Sequence, residues 1–194
     1  MSHYFENDKN LASDIKKYTF NDFNITLTFN TDNGVFSKGE LDYGTYLLLK
    51  NVKDLVSGNI LDLGCGYGAI SLILKKYIPN SNITSIDVNK RALHLTKMNI
   101  KENNLSNIEV VESDGFSNIN SKFDYIVTNP PIRVGKTKLY DLITSCKDHL
   151  NKDGLIYLVI RKEQGGKSFI KDMSSYFNVD IIEQKKGFMI ISLK

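Results

Sequence analysis

Ile60-Leu61-Asp62-Leu63-Gly64-Cys65-Gly66-Tyr67-Gly68 is the stretch on which the fold of this 194-residue chain turns. An apolar run of strand type ends in a glycine-dense turn, and a helical pattern of apolar residues follows over 69–77. Glycines in such a turn adopt positive φ and let a ligand approach the backbone. The helix behind them offers free N–H groups to a carboxylate or phosphate. The pattern repeats downstream. Strand candidates at 59–63, 83–87, 108–111, 123–128 and 155–160 alternate with helical patterns at about 69–77, 90–102, 137–150 and 167–177. Strands alternating with helices give a mostly parallel, doubly wound α/β sheet. The alternation then stops. Residues 179–183 and 188–193 are β-rich runs around Gln184-Lys185-Lys186-Gly187, an antiparallel hairpin that closes the sheet. The beginning differs as well. Ile25-Thr26-Leu27-Thr28-Phe29 alternates as a strand does, with turn signals Asn21-Asp22 before it and Asp32-Asn33-Gly34 after it. A helix is expected at about 44–56. The expected organisation is a short extension with a β-hairpin over residues 1–45 and one α/β domain over 46–194.

The chain is 41% hydrophobic and 24% charged, an ordinary globular balance that can bury a core without disulfide staples. Cys65 and Cys146 form no C-x-x-C pair, and His3, His94 and His149 stand at no metal-ligand spacing from them. A reduced, cytoplasmic, metal-free protein is expected. The opening MSHYFENDKN lacks an apolar signal core, and no apolar run approaches the roughly 20 residues of a membrane span. Net charge is +3 but uneven: residues 129–194 carry 12 Lys/Arg against 7 Asp/Glu, and residues 1–128 carry 13 against 15. Such a tilt suits a polyanionic partner near the C-terminal half as readily as it describes solvated lysines.

Two cofactors compete for the glycine loop. Gly64-x-Gly66-x-x-Ala69 satisfies the dinucleotide fingerprint, and Asp87 lies at about the right distance beyond it. Asp62 tips the choice, because a carboxylate before the first glycine suits the ammonium of a methionine moiety and repels a pyrophosphate. S-adenosylmethionine is the expected cofactor, with Asp62, Gly64, Cys65 and Gly66 around its amino-acid end. Asp87 can accept hydrogen bonds from both ribose hydroxyls, and Val88 can lie along the adenine face. Asp114, followed by Gly115, can accept from the adenine amino group. A helix cap or a turn would explain any one of these aspartates. Three at successive carboxyl ends of parallel strands point to the edge where ligands bind.

Asn129-Pro130-Pro131-Ile132 ends the fourth strand of the alternation. An exocyclic amine on guanine or adenine is a poor nucleophile, because its lone pair is delocalised into the ring. Two acceptors against its N–H bonds draw it toward a pyramidal geometry, and the Asn129 amide oxygen and the Pro130 carbonyl are the candidates. Pro130 and Pro131 fix φ and remove competing donors, so the loop presents its acceptors rigidly. No strong base is required, since the nitrogen loses its proton readily once alkylated.

With Gly34-Val35-Phe36-Ser37, Leu41-Asp42-Tyr43-Gly44-Thr45 and Asn129-Pro130-Pro131-Ile132-Arg133-Val134-Gly135-Lys136 added, the pattern resembles the class I methyltransferases. More narrowly, it resembles the small-domain group of ribosomal RNA small-subunit guanine-N2 methyltransferases, from about residue 20 to the end. The resemblance implies a Rossmann-like, seven-stranded, mostly parallel sheet with a reversed last hairpin. It implies S-adenosylmethionine as donor and a guanine of small-subunit ribosomal RNA, naked or in the assembled subunit, as acceptor. It also implies that Phe36 and Ser37 line the mouth of the site and that Thr45 lies near the methionine end.

Adenine-N6 enzymes usually carry an aromatic where this chain has Ile132, which argues mildly for guanine. Phe36, Ile132, Arg133 and Lys136 are the expected substrate-binding residues, with Lys138, Arg161 and Lys162 nearby as phosphate partners. Cys65 and Cys146 read as packing residues rather than nucleophiles, and His149 as a partner of a helix dipole. Other acceptors stay open: a tRNA guanine, adenine N6 or a protein glutamine. An NAD-dependent oxidoreductase is the alternative from another class.

Overall fold

The central apolar runs become strands because polar or glycine-bearing turns bound them and helices cover them on both faces, while the run Val179–Lys185 is a largely exposed edge. A computed structural model describes residues 12–194; residues 1–11, including His3 and the polar opening segment of the expected extension, lie outside the described residues. Strands β1 (Lys16–Asp22) and β2 (Ile25–Thr31) form an antiparallel hairpin, followed by helix α1 (Tyr43–Val52). Then come β3 (Asn59–Leu63), α2 (Ala69–Tyr77), β4 (Asn82–Asp87), α3 (Lys90–Glu102) and β5 (Ile108–Glu112). The second half is β6 (Phe123–Thr128), α4 (Lys136–Ser145), β7 (Leu150–Arg161), α5 (Gly166–Met173), β8 (Val179–Lys185) and β9 (Phe188–Leu193).

β3 to β9 make one sheet in the order β5-β4-β3-β6-β7-β9-β8. Its first four pairings are parallel, and β9 runs antiparallel to both β7 and β8. This is the seven-stranded, Rossmann-like sheet with a reversed last hairpin that the sequence led us to expect. The chain works outward from β3 to β5 and then crosses back to β6, so the topological switch point lies between β3 and β6. Helices α1, α2 and α3 cover one face, where Phe20 and Phe29 of the hairpin share a core with Leu48, Leu72 and Leu95. Helices α4 and α5 cover the other through Leu139, Ile143, Phe169 and Met173.

The differences from expectation have local causes. Asn21-Asp22 ends β1 rather than forming a turn. The turn is Phe23-Asn24, both at positive φ (54° and 59°), the mirror-image geometry that matches strand twist. Phenylalanine is uncommon there, and its ring is held by stacking on Tyr46, with centroids 5.5 Å apart. Asn151-Lys152-Asp153-Gly154, between the expected helix and strand, is absorbed as an irregularity in β7, so that strand begins at Leu150 rather than 155. The α4 segment accordingly stops at Ser145 and continues as a short 3-10 turn, Cys146–His149. α5 ends at Met173, short of residue 177. α1 runs from Tyr43 to Val52 rather than to residue 56.

One buried amide binds the hairpin to the rest. Asn99 of α3 is fully buried; its oxygen accepts from Asn30 N (2.7 Å) and Asn30 Nδ2 (3.0 Å). Its nitrogen donates to the carbonyls of Asn30 (3.0 Å) and Tyr67 (2.9 Å). Tyr67 belongs to the glycine loop, and its hydroxyl also meets that of Tyr18 at 2.8 Å. Asn99→Leu keeps the volume but strands these backbone groups without partners. We expect the free energy of unfolding, measured in urea, to fall by about 2–4 kcal/mol.

Candidate active site

Leu63, Asp87, Glu112, Thr128 and Arg161 are the last residues of the five parallel strands, so the loops after them open on one edge. Thr128 Oγ1 donates to the Leu63 carbonyl (2.7 Å) and locks the tip of β6 to that of β3 at the switch point. The loops surround an open cleft of about 1240 Å³. A single small-molecule pocket occupies roughly 300–1,000 Å³, so a nucleoside cofactor leaves room for a second planar group.

Gly64 and Gly66 stand on the cleft wall at φ 76° and 56°, and a Cβ on either would meet nothing within 4 Å. Backbone conformation, not crowding, calls for glycine there. The loop is fixed from below: Gly64 N and Cys65 N both donate to the Ile86 carbonyl at 2.9 Å. Cys65 lines the cleft but is nearly buried, and burial pushes its thiol well above the ordinary range, as befits a packing residue. Cys146 is likewise buried.

Asp62 differs from expectation. Its side chain is fully buried behind the wall rather than beside the ligand space. Oδ2 accepts from Ser71 N (3.0 Å) and Ser71 Oγ (2.6 Å), while Oδ1 has no partner among the described residues. An ammonium lodged over the loop, or a water that it holds, would supply what this oxygen lacks. The Asp87 carboxylate accepts from Gly66 N (2.9 Å), Asn89 N (2.8 Å) and the Val88 N–H. A carboxylate offers about four lone-pair sites, so roughly one remains for a ribose hydroxyl. Val88, Asp114 and Gly115 line the cleft, and the Asp114 carboxylate has no hydrogen bond among the described residues. S-adenosylmethionine fits this set: an orphaned acid behind the glycine loop, an acceptor beside it, and a free acceptor further along the wall.

Asn129 follows β6. Its Nδ2 donates to Asp42 Oδ2 (3.0 Å) and Thr45 Oγ1 (2.9 Å), and its Oδ1 takes no hydrogen bond among the described residues. Pro130, Pro131 and Ile132 line the cleft beside it, and the turn closes with Val134 N donating to the Pro131 carbonyl (3.2 Å). Phe36, 48% exposed, also lines the cleft. Its loop is pinned to α3 by Asn89 Nδ2 on the Gly34 carbonyl (2.9 Å) and Arg91 on the Asn33 carbonyl (3.1 Å).

Asp42 was missed as a site residue, although its Asp-x-x-Thr spacing is that of a helix cap. Arg133 lies in the 3-10 turn Ile132–Val134. Lys136 is not on the wall; its ammonium pairs with Asp172 (2.9 Å) and sits 4.9 Å from the Tyr140 ring centroid. His149 ends the 3-10 turn Cys146–His149, the helix-end position expected of it, and its ring stacks on Phe116, a wall residue, with centroids 4.1 Å apart. No group of three or more His, Cys, Asp or Glu among the described residues is placed to hold a metal, and none of their helices is long and apolar enough to cross a membrane.

The sequence model of one protein family, Methyltransferase small domain, matches residues 26–192. This chain belongs to that family. YbxB of Bacillus subtilis, described as an uncharacterized protein, is 39% identical over 99% of this chain and 98% of its own length. Ribosomal RNA small subunit methyltransferase C of Haemophilus influenzae is 39% identical over 87% of this chain but 51% of its own length. The chain thus spans about half of the named ribosomal RNA enzymes it matches. Among solved structures, the 16S rRNA N2 G1207 methyltransferase of T. thermophilus, in complex with AdoMet and guanosine, superposes with a TM-score of 0.82 at 22% identity. The match covers 93% of this chain and 50% of that one. A ribosomal protein L11 methylase of Lactobacillus delbrueckii reaches 0.69 at 19% identity over 80% of each chain. At those identities the two structures speak for the fold.

Burial first, and then the charge of Asp87, push the Asp62 carboxyl up to about 7 against the pull of its Ser71 hydrogen bonds. A group whose pKa rises on folding opposes the fold as pH climbs from the unfolded value of 3.8 through the folded one. In ligand-free protein, the unfolding free energy of the wild type relative to Asp62→Asn should therefore decline by up to about 4 kcal/mol between pH 4 and pH 8. A pH-independent difference between the two would show that Asp62 does not titrate there.

Proposed function

We propose that the chain transfers a methyl group from S-adenosylmethionine to the exocyclic N2 of a guanine in ribosomal RNA. The observation that carries this reading is the Asn129 amide, whose N–H bonds are both taken while its oxygen is left free at the cleft. S-adenosylmethionine, when bound, supplies an electrophilic methyl carbon on a sulfonium. Asn129 Oδ1 and the Pro130 carbonyl accept from the two N–H bonds of the target amine and turn its lone pair toward that carbon. The new N–C bond forms as the S–C bond breaks, and the surplus proton leaves the nitrogen for solvent. Positioning and preorganised acceptors account for the rate. Guanine is favoured over adenine by the aliphatic Ile132, and ribosomal RNA over other acceptors by relatives named for its small subunit.

The target base must be unstacked to enter the cleft, and Phe36 offers a face for it. A basic lip lies beside the mouth. Arg161 stands 4.5 Å from the centroid of Phe188, and Lys186 stands 4.9 Å from that of Tyr43. Arg161, Lys162, Lys185 and Lys186 have no ion pair among the described residues, unlike Lys136. The lip is therefore the better phosphate surface. Such a reaction belongs in the cytoplasm, where ribosomal subunits are assembled.

The deciding experiment is labelled-methyl transfer to naked ribosomal RNA, small subunits and whole ribosomes, followed by digestion to nucleosides. Label is expected in N2-methylguanosine; label in N6-methyladenosine or in protein would overturn the assignment. Asn129→Ala should lower transfer by at least about 100-fold while S-adenosylhomocysteine still binds in calorimetry. Neutralising Arg161 and Lys186 together should flatten the log–log salt dependence of RNA binding by about 1.4, the counterion release of two contacts to a single strand.

A further inference from the structure

We infer that Asp42 is a positioning residue whose carboxylate decides which end of the Asn129 amide faces the cleft. The inference rests on the reading of Asn129 as the acceptor for the target amine. An amide has a donor end and an acceptor end of nearly the same shape, so packing alone does not choose between them. The neighbours of Asn129 Nδ2 do choose. Asp42 is the N-cap of α1, and its Oδ2 accepts from Thr45 N at 2.8 Å, which fixes that oxygen at the positive end of the helix. The same oxygen accepts from Thr45 Oγ1 (3.2 Å) and from Asn129 Nδ2 (3.0 Å). Thr45 has one hydroxyl proton and directs it at Asp42, so toward Asn129 its oxygen can only accept, which it does at 2.9 Å.

Both groups that meet the amide nitrogen are thus acceptors. A flipped amide would set its oxygen against a carboxylate and a hydroxyl lone pair. It would also turn an NH2 group toward the target amine, which is itself a donor. Gly44 protects the arrangement: a Cβ there would stand 3.0 Å from Asp42 Oδ2 and 2.6 Å from the Phe188 ring. Residues 87 positions apart in sequence are joined in this way into one acceptor unit.

Two variants separate orientation from capping. Serine caps helices about as well as aspartate, but its hydroxyl can donate as well as accept and so cannot select an amide end. Asparagine must keep an oxygen toward Thr45 N to cap, and with it the selecting acceptor. Asp42→Ser is expected to melt near the wild-type temperature and to bind S-adenosylhomocysteine normally. Its kcat for RNA methylation should fall about 10- to 100-fold with KM little changed, the loss of one charge-assisted bond. Asp42→Asn should recover most of that kcat.

A substrate-free readout accompanies the kinetics. The Asn129 side-chain NH2 signals, assigned by their disappearance in Asn129→Ala, should exchange slowly with solvent in wild type and Asp42→Asn, and rapidly in Asp42→Ser. Wild-type kcat and slow exchange in Asp42→Ser would overturn the inference, as would an Asp42→Asn variant as impaired as Asp42→Ser. Slow exchange following this pattern in a protein that methylates no RNA would leave the role of Asp42 standing and sink the N2 reading instead.

Discussion

The parallel pairing of β3 with β6 is the constraint from which the rest of the site follows. Asp62 lies opposite Val127, and one hydroxyl bond from Thr128 to Leu63 carries that register to the tips of both strands. A glycine loop and an Asn-Pro-Pro loop then leave the sheet side by side at its switch point, where an open α/β sheet has its natural crevice. A slip of one residue would invert every side chain on β6. Asn129 would then face the wrong way, and Ile126 and Val127, both fully buried, would change sides.

Around that pair the protein mixes rigid and uncompensated polar groups. Asn99 satisfies all its neighbours in the dark between hairpin, α3 and glycine loop. Asp62, equally buried, satisfies one oxygen and leaves the other without a partner among the described residues. The first arrangement fixes a shape. The second keeps an acid that a nearby cation would ionise close to a place where positive charge is wanted, at the expense of the ligand-free fold.

Much of this was legible in the residues. Five parallel strands with four helices among them, the glycine loop and the final reversed hairpin are written as periodicity and turn chemistry, and apart from the start of β7 the strands fall where those signals put them. What escaped has physical reasons. β1 hides because only Tyr18 and Phe20 of Lys16–Asp22 turn inward among polar residues, and its turn places a phenylalanine in a conformation that side chains avoid. The start of β7 is masked by a polar tetrad that behaves as a bulge. On the wall of the cleft, the residues named from the glycine and Asn-Pro-Pro motifs come together, except Asp62, which lies buried behind it. Those chosen by charge divide: Lys138 and Arg161 line the cleft and Lys136 does not. Lys136 had a partner, Asp172, 36 positions further on, and the unpaired cations of the β7–β9 corner became neighbours only through the antiparallel return of β9. Asp42 carried the signature of a cap, and only the fold brings it against Asn129.

The bare oxygen of Asp62 has a consequence beyond the cleft. A protein that keeps an uncompensated acid in its core at neutral pH is firmest when something cationic rests nearby, and any ligand that binds only the folded form adds stability in proportion to its occupancy. The supply of methyl donor then bears on how long a molecule survives as well as on how fast it works. In a starved cell the empty form would open more often to proteases, and the amount of the protein would track the metabolite it consumes without any dedicated sensor.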